Sequence, residues 1–265
     1  MNLDRTLLQT WKQRGLLSCL LLPLSWLFLF LTAARRLAYR RGWLRQHRLP
    51  VPVVVIGNII LGGSGKTPLT LWLCEQLRAA GWHPGIISRG YAARDTRNSK
   101  PPPCEVRENS PAALVGDEPL LLKQRSGVPV FIGRDRAAAG RALLAAYPEC
   151  RLILSDDGLQ HYPLARDIEI ALMDERGVMN GWLLPAGPLR EPPSRLSRVT
   201  AIVLNGKQAH APAPAAHLPT FRMQLSGNLL ERLGNPGIRQ GTEALAGLRL
   251  AAICGIAVPE RFFLH

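Results

Sequence analysis

Apolar runs alternate with segments of helical periodicity along most of this chain. The runs are rich in Val, Ile and Leu, which is typical of strands buried on both faces of a parallel sheet. They lie at 51–56, 84–88, 129–133, 151–155, 168–174, 201–205 and 250–254. Apolar residues at helical spacing follow several of them, most clearly at 69–77 and 135–147. The alternation predicts an α/β fold with a doubly wound, mostly parallel sheet.

The first apolar segment differs from the others in length and in its flanking charges. Residues 15–34 form a run of twenty without a charge, which as a helix would be about 30 Å long, enough to cross the hydrocarbon core of a bilayer. Three basic residues precede the run and six follow it, which places its C-terminal side in the cytoplasm. Pro23 would kink a spanning helix, so a helix lying in the membrane interface remains open, as does a buried soluble helix. We expect an N-terminal membrane anchor.

The net charge supports a membrane more than it supports nucleic acid. The chain has 33 Lys and Arg against 19 Asp and Glu, a net charge of +14. Residues 1–50 hold nine basic residues and one acid, so they carry +8 of this excess. The charge therefore brackets the apolar segment, where it would meet the anionic inner leaflet. The five cysteines are widely spaced, which favours a reducing compartment. We expect the cytoplasmic face of a membrane and no nucleic-acid partner.

A glycine-rich segment after the run at 51–56 has the pattern of a phosphate-binding P-loop. Glycines let successive amides point at one anion, the following helix adds its dipole, and Lys66 adds a positive charge. The hydroxyl of Thr67 is a candidate Mg²⁺ ligand. Ile60 occupies the position where a leading glycine is usual. The predicted nucleotide-binding residues are Gly62, Gly63, Ser64, Gly65, Lys66 and Thr67.

Polar residues follow three of the other predicted elements. Asp156 and Asp157 end the run at 151–155, as the Mg²⁺-binding carboxylate of a Walker-B strand does, although a simple turn would look the same. Gln160 and His161 come directly after, within reach of the same phosphates. Arg89 follows the run at 84–88, where it could contact phosphate or substrate.

Asp117 precedes the apolar residues 120–122, with a proline two positions further on. Its spacing fits both a helix N-cap and a catalytic carboxylate, and the sequence leaves both open.

Six motifs, in the same order along the chain, resemble those of the tetraacyldisaccharide 4′-kinase family of lipid A biosynthesis. The likeness runs from about Leu16 to Phe263, and the P-loop of that family also lacks the leading glycine. The motifs are Val55-Ile-Gly-Asn58, Gly62-Gly-Ser-Gly-Lys-Thr-Pro68, Ile87-Ser-Arg-Gly-Tyr91, Gly116-Asp-Glu-Pro119, Asp156-Asp-Gly-Leu-Gln-His161 and Leu184-Pro-Ala-Gly-Pro-Leu-Arg-Glu-Pro192.

The resemblance implies transfer of the γ-phosphate of ATP, with Mg²⁺, to the 4′-hydroxyl of an acylated glucosamine disaccharide 1-phosphate. It makes Asp117 the candidate general base and Glu191 a Mg²⁺ partner of Thr67. The other residues that it implies lie in the matching motifs. Asp156, Asp157 and His161 would line the phosphate side, with Asp156 a metal ligand and the other two catalytic together with Lys66; Arg89, Asn58, Gln160 and Arg190 are the candidate substrate-binding residues.

The motifs and composition together predict three parts: an anchor with a basic segment at 1–50, a P-loop kinase core at 51–210, and a C-terminal α/β portion at 211–265. The last part is expected to be short relative to the family. The alternative is a membrane-tethered P-loop ATPase or GTPase that acts as a switch or assembly factor. A GTPase would be expected to carry an Asn-Lys-x-Asp motif, and the sequence has none.

Overall fold

The computed structural model describes residues 9–90, 102–225, 229–232 and 238–253. Its strands are β1 (Val53–Gly57), β2 (Pro84–Ser88), β3 (Cys104–Glu105), β4 (Val130–Ile132), β5 (Leu152–Ser155), β6 (Ile168–Asp174), β7 (Ala201–Asn205), β8 (Thr220–Met223), β9 (Leu229–Glu231) and β10 (Arg239–Gly241). Its α-helices are α1 (Leu16–Leu20), α2 (Leu22–Arg40), α3 (Lys66–Ala79), α4 (Ala112–Val115), α5 (Asp117–Ser126) and α6 (Arg136–Ala146). Short 3₁₀ helices lie at Pro193–Arg198, Ala213–Ala215 and Thr242–Leu245.

Eight of these strands form one sheet, in the order β3-β4-β2-β5-β1-β6-β7-β8. Every pairing in it is parallel except that of β3 with β4. The strands β9 and β10 form a separate antiparallel pair. The predicted mostly parallel α/β sheet is therefore confirmed.

The central strands are apolar throughout because both of their faces are covered. In β1, Val53 and Val55 belong to a cluster that includes Leu143 of α6. Val54, between them, points to the opposite face and belongs to a cluster that includes Cys74 of α3. A strand between two layers of helices has no polar face, which is why the sequence shows a continuous apolar run here.

The carboxyl ends of the parallel strands meet at one edge of the sheet. The glycine-rich loop follows β1, the paired acids follow β5, and Asp174 and Asn205 end β6 and β7. In such folds ligands bind at this edge, outside the strand ends. The topology thus brings together residues that are up to about 150 positions apart in the sequence.

The N-terminal apolar segment forms two helices, α1 and α2, which meet at Leu21. Pro23 lies in the first turn of α2, where its missing N–H breaks no helical hydrogen bond. Among the residues that the structure describes, none of the helices combines the length and the apolar character that a membrane span requires. The membrane anchor therefore stays a prediction.

The helix α2 packs against the loop at 176–191 through a buried serine. The hydroxyl of Ser25 donates to the carbonyl of Leu183 at 2.8 Å and accepts from the amide of Ala186 at 3.0 Å. Upstream of the helix, Trp11 Nε1 donates to the carbonyl of Pro185 at 2.9 Å. These bonds fix the loop that leads to Arg190 and Glu191 against the N-terminal segment.

The strand predicted at 250–254 is wrong over its described part. Residues 250–253 lie outside every strand, with Leu250 and Ile253 exposed; Cys254 lies outside the described residues. A short apolar run becomes a strand where a neighbouring element covers it. No element of the described ranges covers these residues.

Gly187 makes the loop at 176–191 sensitive to a single added carbon. A Cβ built at Gly187 would overlap the side-chain oxygen of Asn180 and the backbone carbonyl of Trp182. The backbone carbonyl cannot rotate away as a side chain could. The loop must therefore shift to admit any other residue.

We predict that Gly187→Ala lowers the free energy of unfolding by about 1–3 kcal/mol, the usual cost of overpacking a well-packed site. Urea unfolding followed by circular dichroism measures this. Gly15→Ala is the matched control, because a Cβ there meets nothing within 4 Å. Equal unfolding midpoints for the two variants would contradict the prediction.

Candidate functional site

The glycine-rich loop connects β1 to α3 at the carboxyl edge of the sheet. Gly62 and Gly65 adopt left-handed backbone conformations, with φ of 95° and 96°. A Cβ at Gly65 would also lie 2.5 Å from Asn205 Nδ2, so both backbone conformation and space require glycine. Ile60, where a leading glycine is usual, is fully buried and forms an isolated bridge with Leu189. Packing against the neighbouring loop explains the side chain at this position.

Asn58 and Gln160 brace this loop from inside the site. The side-chain amide of Asn58 donates to Ser64 Oγ at 3.0 Å and to the carbonyl of Gly62 at 3.3 Å. Gln160 Nε2 donates to the carbonyl of Asn58 at 2.9 Å. The Oδ1 atom of Asn58 is buried without a hydrogen-bond partner among the described residues. Such an atom is available to a ligand.

Asp156 is fully buried beneath the loop. Its Oδ1 accepts a hydrogen bond from Thr70 Oγ1 of α3 at 3.2 Å, and its Oδ2 has no partner in the described part of the chain. Burial, followed by the charges of Glu118 and Asp157, raises the pKa of Asp156 to about 7. A nearby cation would stabilise the ionised form of such a buried carboxylate.

Asp157 has the opposite environment, although it is adjacent in sequence. It lies at a φ of 47°, with Lys66 Nζ at 3.6 Å from one oxygen and Arg190 Nη1 at 3.1 Å from the other. Burial would raise the pKa of Asp157, but Lys66 and Arg190 outweigh it and lower the pKa. The three predicted residues therefore meet in one charge cluster at the mouth of the loop.

Glu118 was not among the residues predicted from the sequence. Its Oε1 accepts a hydrogen bond from Thr67 Oγ1 at 2.5 Å. The packing of α5 against α3 creates this contact, and no local pattern distinguishes Glu118 from its neighbour Asp117. Its place in the motif at 116–119 was the one available signal.

Asp117 is the first residue of α5, and its side chain is exposed. The N-cap of this helix is Gly116, and no side chain caps it. The N-cap interpretation of Asp117 is therefore wrong. Its role as a catalytic base stays a prediction.

Glu191 is buried in a cluster of polar side chains next to this site. It accepts hydrogen bonds from Gln160 Nε2 at 3.1 Å and from the hydroxyl of Tyr162. Arg36 of α2 lies 3.6 Å from it and Arg195 lies 3.9 Å from it. Burial, followed by the charge of Glu191, raises the pKa of Tyr162 to about 12. The structure thus brings Glu191 to two arginines, whereas the contact of Thr67 is with Glu118; the pairing of Thr67 with Glu191 stays a prediction.

His161 is held neutral mainly by burial of its ring. Burial, with Arg136 and Arg166 nearby, lowers the pKa of His161 to about 3. Its Nε2 is buried and has no partner among the described residues. Arg136 in turn donates to the carbonyl of Asp157 at 2.8 Å, which holds the turn after β5.

Of the four predicted substrate-binding residues, three lie together. Asn58, Gln160 and Arg190 share the cluster around Asp157, where Arg190 Nη1 also contacts Gln160 Oε1 at 3.4 Å. Arg89 is exposed just after β2, and no ion pair or hydrogen bond joins its side chain to another described residue.

A metal site with three or more His, Cys, Asp or Glu ligands does not occur among the described residues. Mg²⁺ does not need one, because it binds through one or two carboxylates, water and substrate phosphates. The oxygen atoms of Asp156, Glu118 and Thr67 are of the type that Mg²⁺ prefers. The unpartnered Oδ2 of Asp156 fits that requirement.

The chain is similar to known proteins over most of its length. The family model of LpxK, tetraacyldisaccharide-1-P 4′-kinase, matches residues 17–265. The tetraacyldisaccharide 4′-kinase of Azoarcus sp. (strain BH72) is 52% identical over 255 residues, which are 96% of this chain and 72% of that protein. The one from Chromobacterium violaceum is 54% identical over 261 residues, 98% of this chain and 75% of that protein.

A crystal structure shows the same fold. It is of LpxK from Aquifex aeolicus in complex with ATP, and it superimposes with a TM-score of 0.67 at 33% identity. The match covers 78% of this chain and 64% of that one. On the family model and these relatives, the chain belongs to the tetraacyldisaccharide-1-P 4′-kinase family.

Proposed function

We propose that this protein transfers the γ-phosphate of ATP to the 4′-hydroxyl of a tetraacyldisaccharide 1-phosphate. Family membership supports this activity. The observation that carries it is the loop at 58–65, beside which two buried polar atoms, Asn58 Oδ1 and Asp156 Oδ2, have no hydrogen-bond partner among the described residues. Buried polar atoms are normally paired, so two unpaired atoms beside one loop favour a polar ligand there.

Positioning and charge neutralisation are what phosphoryl transfer requires of the protein. The loop amides and Lys66 would bind the β- and γ-phosphates, and Arg190 would approach the transferred group. Both cations form ion pairs with Asp157. Because Asp157 holds them at the loop, they would reach the phosphates with little rearrangement.

For Mg²⁺, the residues that would hold the ion are Thr67 and Asp156, with Glu118 or Glu191 as a further carboxylate. Bound there with ATP, the ion would supply positive charge that offsets the negative charge on the transferring phosphate. The hydrogen bond from Thr67 to Glu118 favours Glu118 as the nearer acid. Asp117, one residue away and exposed to solvent, would accept the proton of the 4′-hydroxyl as general base.

The N-terminal helices support a membrane location at the cytoplasmic face of the inner membrane. Their small polar residues Ser18 and Ser25 are buried against the protein, whereas their large apolar residues face outward. This polarity is the reverse of a water-exposed helix, and arginines follow it from residue 35 onward. We infer that α1 and α2 lie in the interface of an anionic bilayer. The outward-facing residues are Leu16, Leu20, Leu24, Trp26, Leu27, Phe30 and Leu31.

Two substitutions test the phosphotransfer site. Lys66→Ala removes charge opposite the phosphates and is expected to lower transfer about 10²–10³-fold. Asp117→Ala removes the base and is expected to lower kcat about 10²–10⁴-fold without changing nucleotide affinity. The assay follows labelled γ-phosphate from ATP to the disaccharide lipid in detergent micelles, with circular dichroism to verify folding.

Glu108→Ala, at an exposed acid outside the site, is the control for both substitutions. Wild-type turnover by Asp117→Ala would remove the base assignment. ATP hydrolysis by the wild type without transfer to lipid would favour the switch protein instead.

The neutral His161 predicts a pH dependence of stability. The folded state protonates this ring near pH 3, whereas the unfolded chain does so near 6.5. The unfolded state therefore binds more protons between these values, and the free energy of unfolding falls as the pH falls through that window. His161→Gln should remove this contribution, which is at most about 1.4 kcal/mol per pH unit.

Urea unfolding of the wild type and of His161→Gln, at several pH values between about 4 and 7, measures this slope. All other titrating groups remain, so their contributions cancel in the difference. His83→Gln, at an exposed histidine, should keep the wild-type slope. Parallel curves for His161→Gln and the wild type would show that the ring is not held neutral.

The membrane proposal predicts loss of vesicle binding when the outward face is made polar. Leu27→Glu/Phe30→Glu should weaken binding to vesicles of phosphatidylethanolamine and phosphatidylglycerol at least about tenfold, because each buried CH₂ contributes about 0.8 kcal/mol. Flotation of the full-length protein measures the bound fraction. Leu248→Glu/Leu250→Glu is the matched control at two leucines that are 60% exposed elsewhere. Equal flotation of both double variants would contradict the proposal.

A further inference from the structure

The carbonyl groups of the glycine-rich loop have partners that lie outside the phosphate side. A loop that turns its amides toward an anion turns carbonyls away from it, and these also need hydrogen bonds. Arg176 Nη2 donates to the carbonyl of Gly63 at 2.9 Å, and its Nη1 donates to that of Leu61 at 3.2 Å. Asn205 Nδ2 donates to the carbonyl of Ser64 at 2.9 Å.

A buried carboxylate holds Arg176 in this orientation. Asp174, the last residue of β6, is fully buried and accepts from Arg176 Nη2 at 2.8 Å and from its Nε at 3.0 and 3.1 Å. It also accepts from the backbone amide of Arg176 at 3.0 Å. One edge of the planar guanidinium thus binds the carboxylate, and its Nη1 and Nη2 atoms also donate to carbonyls of the loop.

Asp174 and Asn205 are neighbours across the sheet. They are register partners at the ends of the parallel strands β6 and β7. The Nδ2 atom of Asn205 lies 2.5 Å from the position that a Cβ on Gly65 would take, so its amide packs against the start of α3. Residues at two adjacent strand ends therefore contact the loop at 61–65.

We propose that Asp174, Arg176 and Asn205 form a carbonyl clamp that holds the glycine-rich loop in its nucleotide-binding conformation before ATP arrives. The clamp residues are positioning residues, because they bind the outer carbonyls of the loop and act on the phosphates only through it. The charges of Asp174 and Arg176 offset each other, so the clamp acts by geometry. Without it the loop would populate other conformations, and the apparent affinity for ATP would fall by the competent fraction.

This inference rests on the proposed ATP site, and it is tested by nucleotide affinity in the full-length protein. Arg176→Lys keeps the charge for Asp174, but one ammonium cannot serve the carboxylate and two carbonyls together. Asp174→Asn/Arg176→Gln removes both charges, so that no buried carboxylate is left unpaired. The control is Arg222→Gln, because Arg222 Nη1 likewise donates to two loop carbonyls, of Lys207 at 3.0 Å and Ala209 at 3.4 Å.

Titration with a fluorescent ribose-labelled ATP analogue and saturating Mg²⁺ gives Kd, and the transfer assay gives KM and kcat. We expect both clamp variants to raise the Kd and the KM for ATP about tenfold, while kcat at saturating ATP stays near the wild-type value. Arg222→Gln should keep the wild-type Kd even where it lowers Tm to the same extent.

An unchanged Kd in Arg176→Lys, or an equal rise in Arg222→Gln, would overturn the clamp. Should the double variant fail to fold, Arg176→Lys alone decides. A wild-type protein that does not bind the analogue would overturn the proposed function itself, and the clamp with it.

Discussion

The ion pair between Lys66 and Asp157 is the interaction on which the rest of the site depends. It joins the first residue of α3 to the turn after β5. Arg190, from the loop at 176–191, forms an ion pair with the same carboxylate. Asp156, one residue earlier, forms no ion pair with a described residue, and its Oδ2 has no hydrogen-bond partner in that part of the chain. One acid is therefore neutralised by the protein, while its neighbour is left for a cation that comes with the substrate. Two adjacent acids would thus have different roles: Asp157 positions the cations Lys66 and Arg190, and Asp156 would bind the metal ion that comes with the nucleotide.

The N-terminal helix takes part in this site as well as in the proposed membrane contact. Arg36 of α2 lies 3.6 Å from the buried Glu191, and Tyr39 stacks on Tyr162 at a centroid distance of 6.0 Å. The serine contacts of the same helix hold the loop at 176–191. The surface that would meet lipid and the loop that carries Arg190 are thus connected through one rigid element. A kinase whose acceptor is a lipid gains from this connection, because the helix fixes the distance from bilayer to active site.

Local sequence patterns predicted the elements that are specified by adjacent residues. The strand, glycine loop and helix at 53–79, and the strand that ends in Asp156, lie where their patterns placed them. Glu118 and Arg176 could not be found this way, because their partners lie far away in the sequence. Glu118 contacts a residue 51 positions earlier, and Arg176 contacts residues more than 110 positions earlier. The apolar run at 250–253 shows the converse. Its composition fits a strand, but composition does not supply the neighbour that a strand needs.

The fold limits how the loop can be held, and this explains why the missed residues lie where they do. The amides that meet the phosphate must stay free, so the contacts that brace the loop go to its carbonyl and side-chain oxygens. The carbonyls of Leu61, Gly63 and Ser64 face the ends of β6 and β7, where Arg176 and Asn205 donate to them, while Asn58 donates to the carbonyl of Gly62. Asp174 and Asn205 occupy that register pair. In a parallel sheet the strands next to the phosphate loop thus supply its support, however far they lie along the chain.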